Sequence, residues 1–153
     1  MLDPDLFLGR ADQASDTSVI EKLGITHILS TSRVRPNKFK GKLKKIFTLA
    51  TTIFCIGLVY ILVNKTSFSH STLKLTSQFI LEALAGGGRV LIAGCDGFDQ
   101  SAAVAAAALM RRYTATLEDC LWFLHTTRPG VRQRINIISC FIKRLETRQN
   151  YQY

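Results

Sequence analysis

Eight consecutive residues hold most of the chemistry this chain could perform: Gly94, Cys95, Asp96, Gly97, Phe98, Asp99, Gln100 and Ser101. They follow an apolar run, Arg89-Val90-Leu91-Ile92-Ala93, and lead into an alanine-rich stretch, Ser101 to Tyr113. A buried strand, a glycine-bearing loop and a helix start in that order form an anion cradle, because unpaired backbone N–H groups and the helix dipole converge on the loop. The side chains here oppose that use. Asp96 and Asp99 bring negative charge, and no Lys or Arg lies between Arg89 and Arg111. A carboxylate about 4 Å from a phosphate charge costs roughly 1–4 kcal/mol, depending on the local dielectric. Cys95 is the one nucleophile in the loop. Its neighbour Asp96 favours the thiol over the reactive thiolate.

Elsewhere the chemistry is sparse. Cys55, Cys120 and Cys140 form no Cys-x-x-Cys pair and no metal-ligand spacing with His27, His70 or His125. No metal and no cofactor is expected. Cys120 and Cys140 fall in apolar-periodic stretches and are expected as core thiols, which fits a reducing compartment. His27 lies in an expected strand, where a hydrogen-bonded structural histidine is the simpler expectation. Serine-hydrolase elbows, dinucleotide fingerprints and P-loops are missing from the sequence. Residues Met1 to Arg10 carry acids and a proline rather than a basic-then-apolar leader, so no secretory peptide is expected.

The elements that must position the loop can be read from periodicity and breakers. Leu6 to Gly9 is an expected strand. Asp16 caps a helix to Leu23 that Gly24 stops, and Thr26 to Leu29 is a second strand. Ile46 to Asn64 runs without a charge, long enough for a membrane helix. Its density of β-branched and aromatic residues favours two strands instead, joined near Thr51-Thr52. Thr72 to Ala85 is an expected helix with Leu73, Leu75, Phe79, Ile80 and Leu84 on its apolar face, and Gly86-Gly87-Gly88 ends it. Thr116 caps a helix to Thr126, and Ile135 to Arg148 is a last helix before a polar tail, residues 149–153. Strands alternating with helices predict a three-layer α/β domain over residues 1–148, with a central, mostly parallel sheet of four or five strands.

Several words of the sequence resemble the atypical dual-specificity phosphatases of the protein tyrosine phosphatase superfamily, in that family's order. They are Asp5-Leu6-Phe7-Leu8-Gly9, Leu23-Gly24-Ile25-Thr26-His27-Ile28-Leu29, Ala83 to Ile92, Ser101-Ala102-Ala103 with Leu109-Met110, and Arg128-Pro129-Gly130-Val131. The likeness is weakest from Arg33 to Ser71 and from Arg132 to Cys140. The family's signature is His-Cys-x-x-Gly-x-x-Arg followed by Ser or Thr. Its Cys attacks phosphorus, its Arg grips the phosphate oxygens, and an Asp on an earlier loop protonates the leaving group. In the register of the resemblance the His falls on Ala93, the Cys on Gly94, the Gly on Gly97 and the Arg on Gln100. The general acid's place falls near Val63 or Asn64, and no Asp or Glu occurs between Glu21 and Glu82. Shifting the register by one residue makes Cys95 the nucleophile but puts Ser101 in the arginine's place.

The resemblance therefore implies a degenerate, inactive phosphatase that serves as a binding or scaffold module in phosphorylation signalling. A weak phosphatase using Cys95 is the alternative. The net charge of +9 and the acid-free basic segment Arg33, Arg35, Lys38, Lys40, Lys42, Lys44 and Lys45 point to an anionic partner. That partner is expected to be an acidic or phosphorylated protein, with an anionic membrane surface as the alternative and no nucleic acid. A cytoplasmic location is expected, against membrane attachment through 33–45 and 46–64. The oligomeric state is open.

Overall fold

The computed structural model describes residues 4–31, 50–55, 58–63, 70–94 and 100–128. In chain order these form β1 (Leu6–Arg10), a single 3₁₀ turn (Gln13–Ser15), α1 (Thr17–Leu23), β2 (His27–Ser30), β3 (Ala50–Cys55), β4 (Leu58–Val63), α2 (His70–Ala85), β5 (Val90–Gly94), α3 (Gln100–Tyr113) and α4 (Leu117–Thr127). The five strands make one sheet in the order β1-β5-β2-β4-β3. β1, β5, β2 and β4 are mutually parallel, and β3 pairs antiparallel with β4 at the edge.

Helices cover both faces, giving the expected three layers. Alternation along β2 and β5 assigns the faces. Ile28, Leu91 and Ala93 pack with Ala14, Ile20 and Ile25 on the α1 side. Leu29, Val90 and Ile92 pack beneath α2, α3 and α4. The central strand residues Ile28, Leu29, Val90 and Ile92 are fully buried, each contributing about 1.5–3 kcal/mol. In α3 every residue from Ser101 to Leu109 is buried. Its alanines let that helix lie close to both the sheet and its neighbours.

The local signals act as the sequence reading supposes. Asp16 Oδ1 accepts the Ser18 N–H at 2.9 Å, and Gly24 closes α1 at φ 61°, a left-handed conformation that favours glycine. Thr116 Oγ1 accepts the Asp119 N–H at 3.2 Å at the start of α4. Cys120 is buried, and burial with the nearby Asp119 pushes its thiol up to about 11; Cys140 lies outside the described residues.

The two-strand reading of the uncharged stretch is borne out, its described residues forming β3 and β4, while several other expectations need correction. Among the described residues no helix is long and apolar enough to cross a membrane. The join lies at residues 56–57, not Thr51-Thr52. Those threonines lie inside β3, where their β-branched side chains suit a strand interior. On α2, Leu75 is 62% exposed. The buried stripe runs Leu73, Thr76 and Ser77, Ile80, Ala83 and Leu84, the 3.6-residue period that leaves position 75 outside. β2 begins at His27, β5 is Val90–Gly94, α2 begins at His70 and α3 at Gln100, shifts of one or two residues from the expected boundaries. The helix expected over Ile135 to Arg148 lies outside the described residues.

Candidate functional site

The carboxyl end of β5 is pinned from both sides. On one, the Ala11 N–H donates to the Gly94 carbonyl at 2.8 Å; on the other, the Thr31 N–H donates to the Ala93 carbonyl at 2.8 Å. The Thr31 hydroxyl adds a second, longer bond to that carbonyl at 3.3 Å. Ala93 packs toward α1, so Gly94 faces the opposite side, where α3 begins. A Cβ placed on Gly94 would lie 2.8 Å from Ser101 Oγ, 3.2 Å from Ser101 Cβ and 3.2 Å from Thr31 Oγ1. The strand end and the helix start therefore meet side by side. This is the ligand end of a parallel α/β sheet.

At the helix start, Ser101 is 1% exposed. Among the described residues, its Oγ and the buried Gln100 Oε1 have no hydrogen-bond partner. The first N–H groups of any helix lack intrahelical acceptors, so this corner collects unsatisfied polar groups. It holds two hydroxyls, one amide and backbone, with no thiol and no guanidinium on Gly94, Gln100, Ser101 or Thr31. Cys95, Asp96, Gly97, Phe98 and Asp99 lie outside the described residues.

The parallel register sets the distance to the expected general-acid position. Leu62 of β4 pairs with Ser30, and Ser30 pairs with Ala93. Val63 is thus level with Thr31 and Gly94, two strands across, or roughly 10 Å at ordinary strand spacing. It carries no carboxyl; Asn64 lies outside the described residues.

The remaining candidates do not gather here. His27 sits at the other end of its strand, with Nδ1 2.8 Å from Thr26 Oγ1 and its ring edge-on to Phe79. Burial lowers its pKa. His125 is on α4, its Nδ1 buried without a partner among the described residues, and His70 opens α2. Among the described residues no group of three or more His, Cys, Asp or Glu could hold a metal. The basic residues Arg33, Arg35, Lys38, Lys40, Lys42, Lys44 and Lys45 lie outside the described residues. The described ends on either side of them are Thr31 and Ala50, and both stand at the carboxyl end of the parallel strands, since Ala50 pairs with Val63.

Sequence reasoning missed Thr31. The residue is 2% exposed, and from the end of β2, more than sixty residues away in the chain, its hydroxyl borders Gly94. The available signal was the Ser30-Thr31 pair ending an apolar strand, where hydroxyls replace the alternation.

Comparison with known proteins agrees with this architecture. The family model for the dual specificity phosphatase catalytic domain matches residues 6–146. A probable dual specificity protein phosphatase of Dictyostelium discoideum is 29% identical over 144 residues, covering 86% of this chain. The chain spans 44% of that relative's length. A point variant of human DUSP28 superposes with a TM-score of 0.76 at 22% identity, covering 99% of this chain and 95% of the other. The human tyrosine phosphatase-like serine/threonine/tyrosine-interacting protein superposes at 0.61 with 23% identity, covering 92% and 95%. At these identities the structural matches speak to the fold. The family match spans nearly the whole chain, and the chain belongs to the dual specificity phosphatase catalytic domain family.

Proposed function

We propose that this chain is a catalytically inactive dual-specificity phosphatase domain, a pseudophosphatase acting as a binding or scaffold module in phosphorylation signalling. The observation that carries the proposal is Gly94 at the carboxyl end of β5, with the Ser101 side chain lying against the place a side chain would fill. The family's chemistry needs a thiolate there and a guanidinium at the position of Gln100. Glycine offers no nucleophile, and a neutral amide cannot balance a phosphate dianion. The lack of any carboxylate between Glu21 and Glu82 removes the leaving-group acid from the same reading.

A binding role is supported by where the charge lies. Basic and acidic side chains are equal in number among the described residues, so the excess of +9 belongs to the rest of the chain, Arg33 to Lys45 foremost. An acidic or phosphorylated protein is the partner this charge would attract, and a cytoplasmic setting follows from that role. The human structural neighbour described as a serine/threonine/tyrosine-interacting protein is a precedent for the fold carrying an interaction role.

Two measurements test this. Purified protein on a generic aryl phosphate is expected to give no turnover. Activity abolished by Cys95→Ser would replace the proposal with a weak phosphatase acting through that thiol. Partner capture is expected to be lost when the lysines of 38–45 are neutralised, and unchanged capture would remove that segment from the account. Extraction of the protein from membranes only by detergent would favour the membrane-attached alternative.

A further inference from the structure

β1 is an edge of the sheet, with β5 as its one neighbour among the described residues. The Val90 N–H donates to the Asp5 carbonyl at 2.7 Å, and the Ala11 N–H donates to the Gly94 carbonyl at 2.8 Å. Asp5, Phe7, Gly9 and Ala11 therefore turn their backbone groups toward β5, and Leu6, Leu8 and Arg10 turn theirs outward. Such an outer row is a template for another strand. Side chains occupy part of it. Arg128 Nη1 donates to the Leu8 carbonyl at 2.6 Å, and Gln13 Oε1 accepts the Arg10 N–H at 2.9 Å. In a parallel ladder, one residue of a neighbouring strand donates to an outward carbonyl and accepts from the outward N–H two residues on. The Leu8 carbonyl and the Arg10 N–H are such a pair. The guanidinium and the amide thus stand in for one residue of a further strand, opposite Gly9.

The surroundings hold both side chains in place. Gln13 opens the 3₁₀ turn that follows β1, its own N–H bonded to Asp12 Oδ1 at 3.1 Å. Gly9 gives the amide room, since a Cβ there would stand 3.0 Å from Gln13 Oε1. Arg128 ends α4, its N–H bonded to the Leu124 carbonyl at 2.9 Å. The occupant they exclude follows from the strand itself. Two copies of β1 set antiparallel about Leu8 are self-complementary. Leu8 would exchange both backbone bonds with Leu8 of the other copy, and the Arg10 N–H would meet the other copy's Leu6 carbonyl. The two Leu8 side chains, each only partly buried within its own chain, would lie side by side on one face of the joined sheet. That ladder needs both of the groups that Arg128 and Gln13 occupy. We infer that Gln13 and Arg128 close the β1 edge against strand pairing with a second copy of this chain. The closure holds whether or not the domain turns over phosphate.

The test compares the unaltered chain with Gln13→Met and Arg128→Met, singly and together, by sedimentation velocity as concentration rises. Methionine keeps an unbranched stem at each position and removes the bonding group. The double variant's self-association constant is expected to rise at least about tenfold, the scale of the hydrogen bonds no longer competing at each edge. Gln13→Glu keeps an acceptor and is expected to behave as the unaltered chain does. Leu6→Pro removes an outward N–H and no bond to β5. Added to the double variant, it is expected to reverse most of the gain. Should the double variant fail to fold, the exposed Gln13 carries the test alone. Hydrogen exchange at the Arg10 amide is expected to quicken about tenfold in Gln13→Met. An unchanged association constant in a folded double variant would overturn the inference. So would a gain that Leu6→Pro leaves intact, which would run through another surface. An Arg10 amide that exchanges no faster without the Gln13 acceptor would overturn it as well.

Discussion

Restoring a side chain at position 94 should cost stability, and the cost should depend on Ser101. A Cβ at Gly94 would stand 2.8 Å from Ser101 Oγ, closer than such atoms approach. Ser101 Oγ makes no hydrogen bond among the described residues, so rotating it away breaks none of theirs, although a strained rotamer costs about 0.5–1.5 kcal/mol. The 3.2 Å approaches to Ser101 Cβ and Thr31 Oγ1 remain after that rotation. Thr31 is tied to the Ala93 carbonyl through both its N–H and its hydroxyl and cannot easily yield. Overfilling a packed site costs about 1–3 kcal/mol, so Gly94→Cys should lower stability by that amount, or about 2–4 °C in Tm per kcal/mol for a domain this size. In a Ser101→Ala background the closest contact is gone, and the penalty should fall by about 0.5–1.5 kcal/mol. Urea titration of the four proteins in this cycle measures the coupling. Effects that add to within about 0.3 kcal/mol would refute the claim that Ser101 fills the space beside position 94.

Other outcomes follow from the same geometry. Ser101→Ala alone should leave stability unchanged or raise it by up to about 1–3 kcal/mol, since it removes a buried hydroxyl without a bonding partner among the described residues; chemical denaturation checks this. Gly94→Cys with Gln100→Arg should give at most slight turnover of an aryl phosphate, because the leaving-group acid is still missing, and robust activity would show that a carboxylate reaches the site from elsewhere. His27 is held neutral by burial, its folded pKa below the unfolded value of 6.5. Its contribution to stability is therefore complete above about pH 6.5 and is lost as pH falls toward the folded value. His27→Gln should flatten the stability profile in that window and leave it unchanged above pH 7.5. Cys120, buried with its thiol raised to about 11, should resist alkylation at pH 8 in the folded protein and react once denatured, as mass spectrometry of labelled peptides would record.

The framework of the site was legible in the sequence for physical reasons. An uninterrupted apolar run bounded by glycines, Val90 to Gly94, reads as a strand buried on both faces, and an alanine run after it reads as a tightly packed helix. Caps were legible because Asp16, Gly24 and Thr116 each perform one local task. Leu75 was misplaced because a leucine was assigned to the apolar face by type, whereas the helical period buries Thr76 and Ser77 instead. Ser77 is tolerable inside because Arg111 Nη1 donates to its Oγ at 2.7 Å. Thr31 was not legible because sequence alone carries no register between parallel strands, and only that register brings β2 beside Gly94. The hairpin join was misread because hydroxyl-bearing Thr51 and Thr52 resemble turn residues while their branched Cβ atoms favour a strand.

The burial of α3 has a consequence for how this protein can change over time. From Ser101 to Leu109 every residue of the helix is buried, so it behaves as a keystone, wedged among β5, β1, α2 and α4. Residues carried at its tip inherit that rigidity whether or not they do chemistry. Substitutions at Gly94 and Gln100 can thus erase a reaction without loosening the mould that hosted it. A lineage is then free to reuse the cast for recognition while its body plan stays fixed.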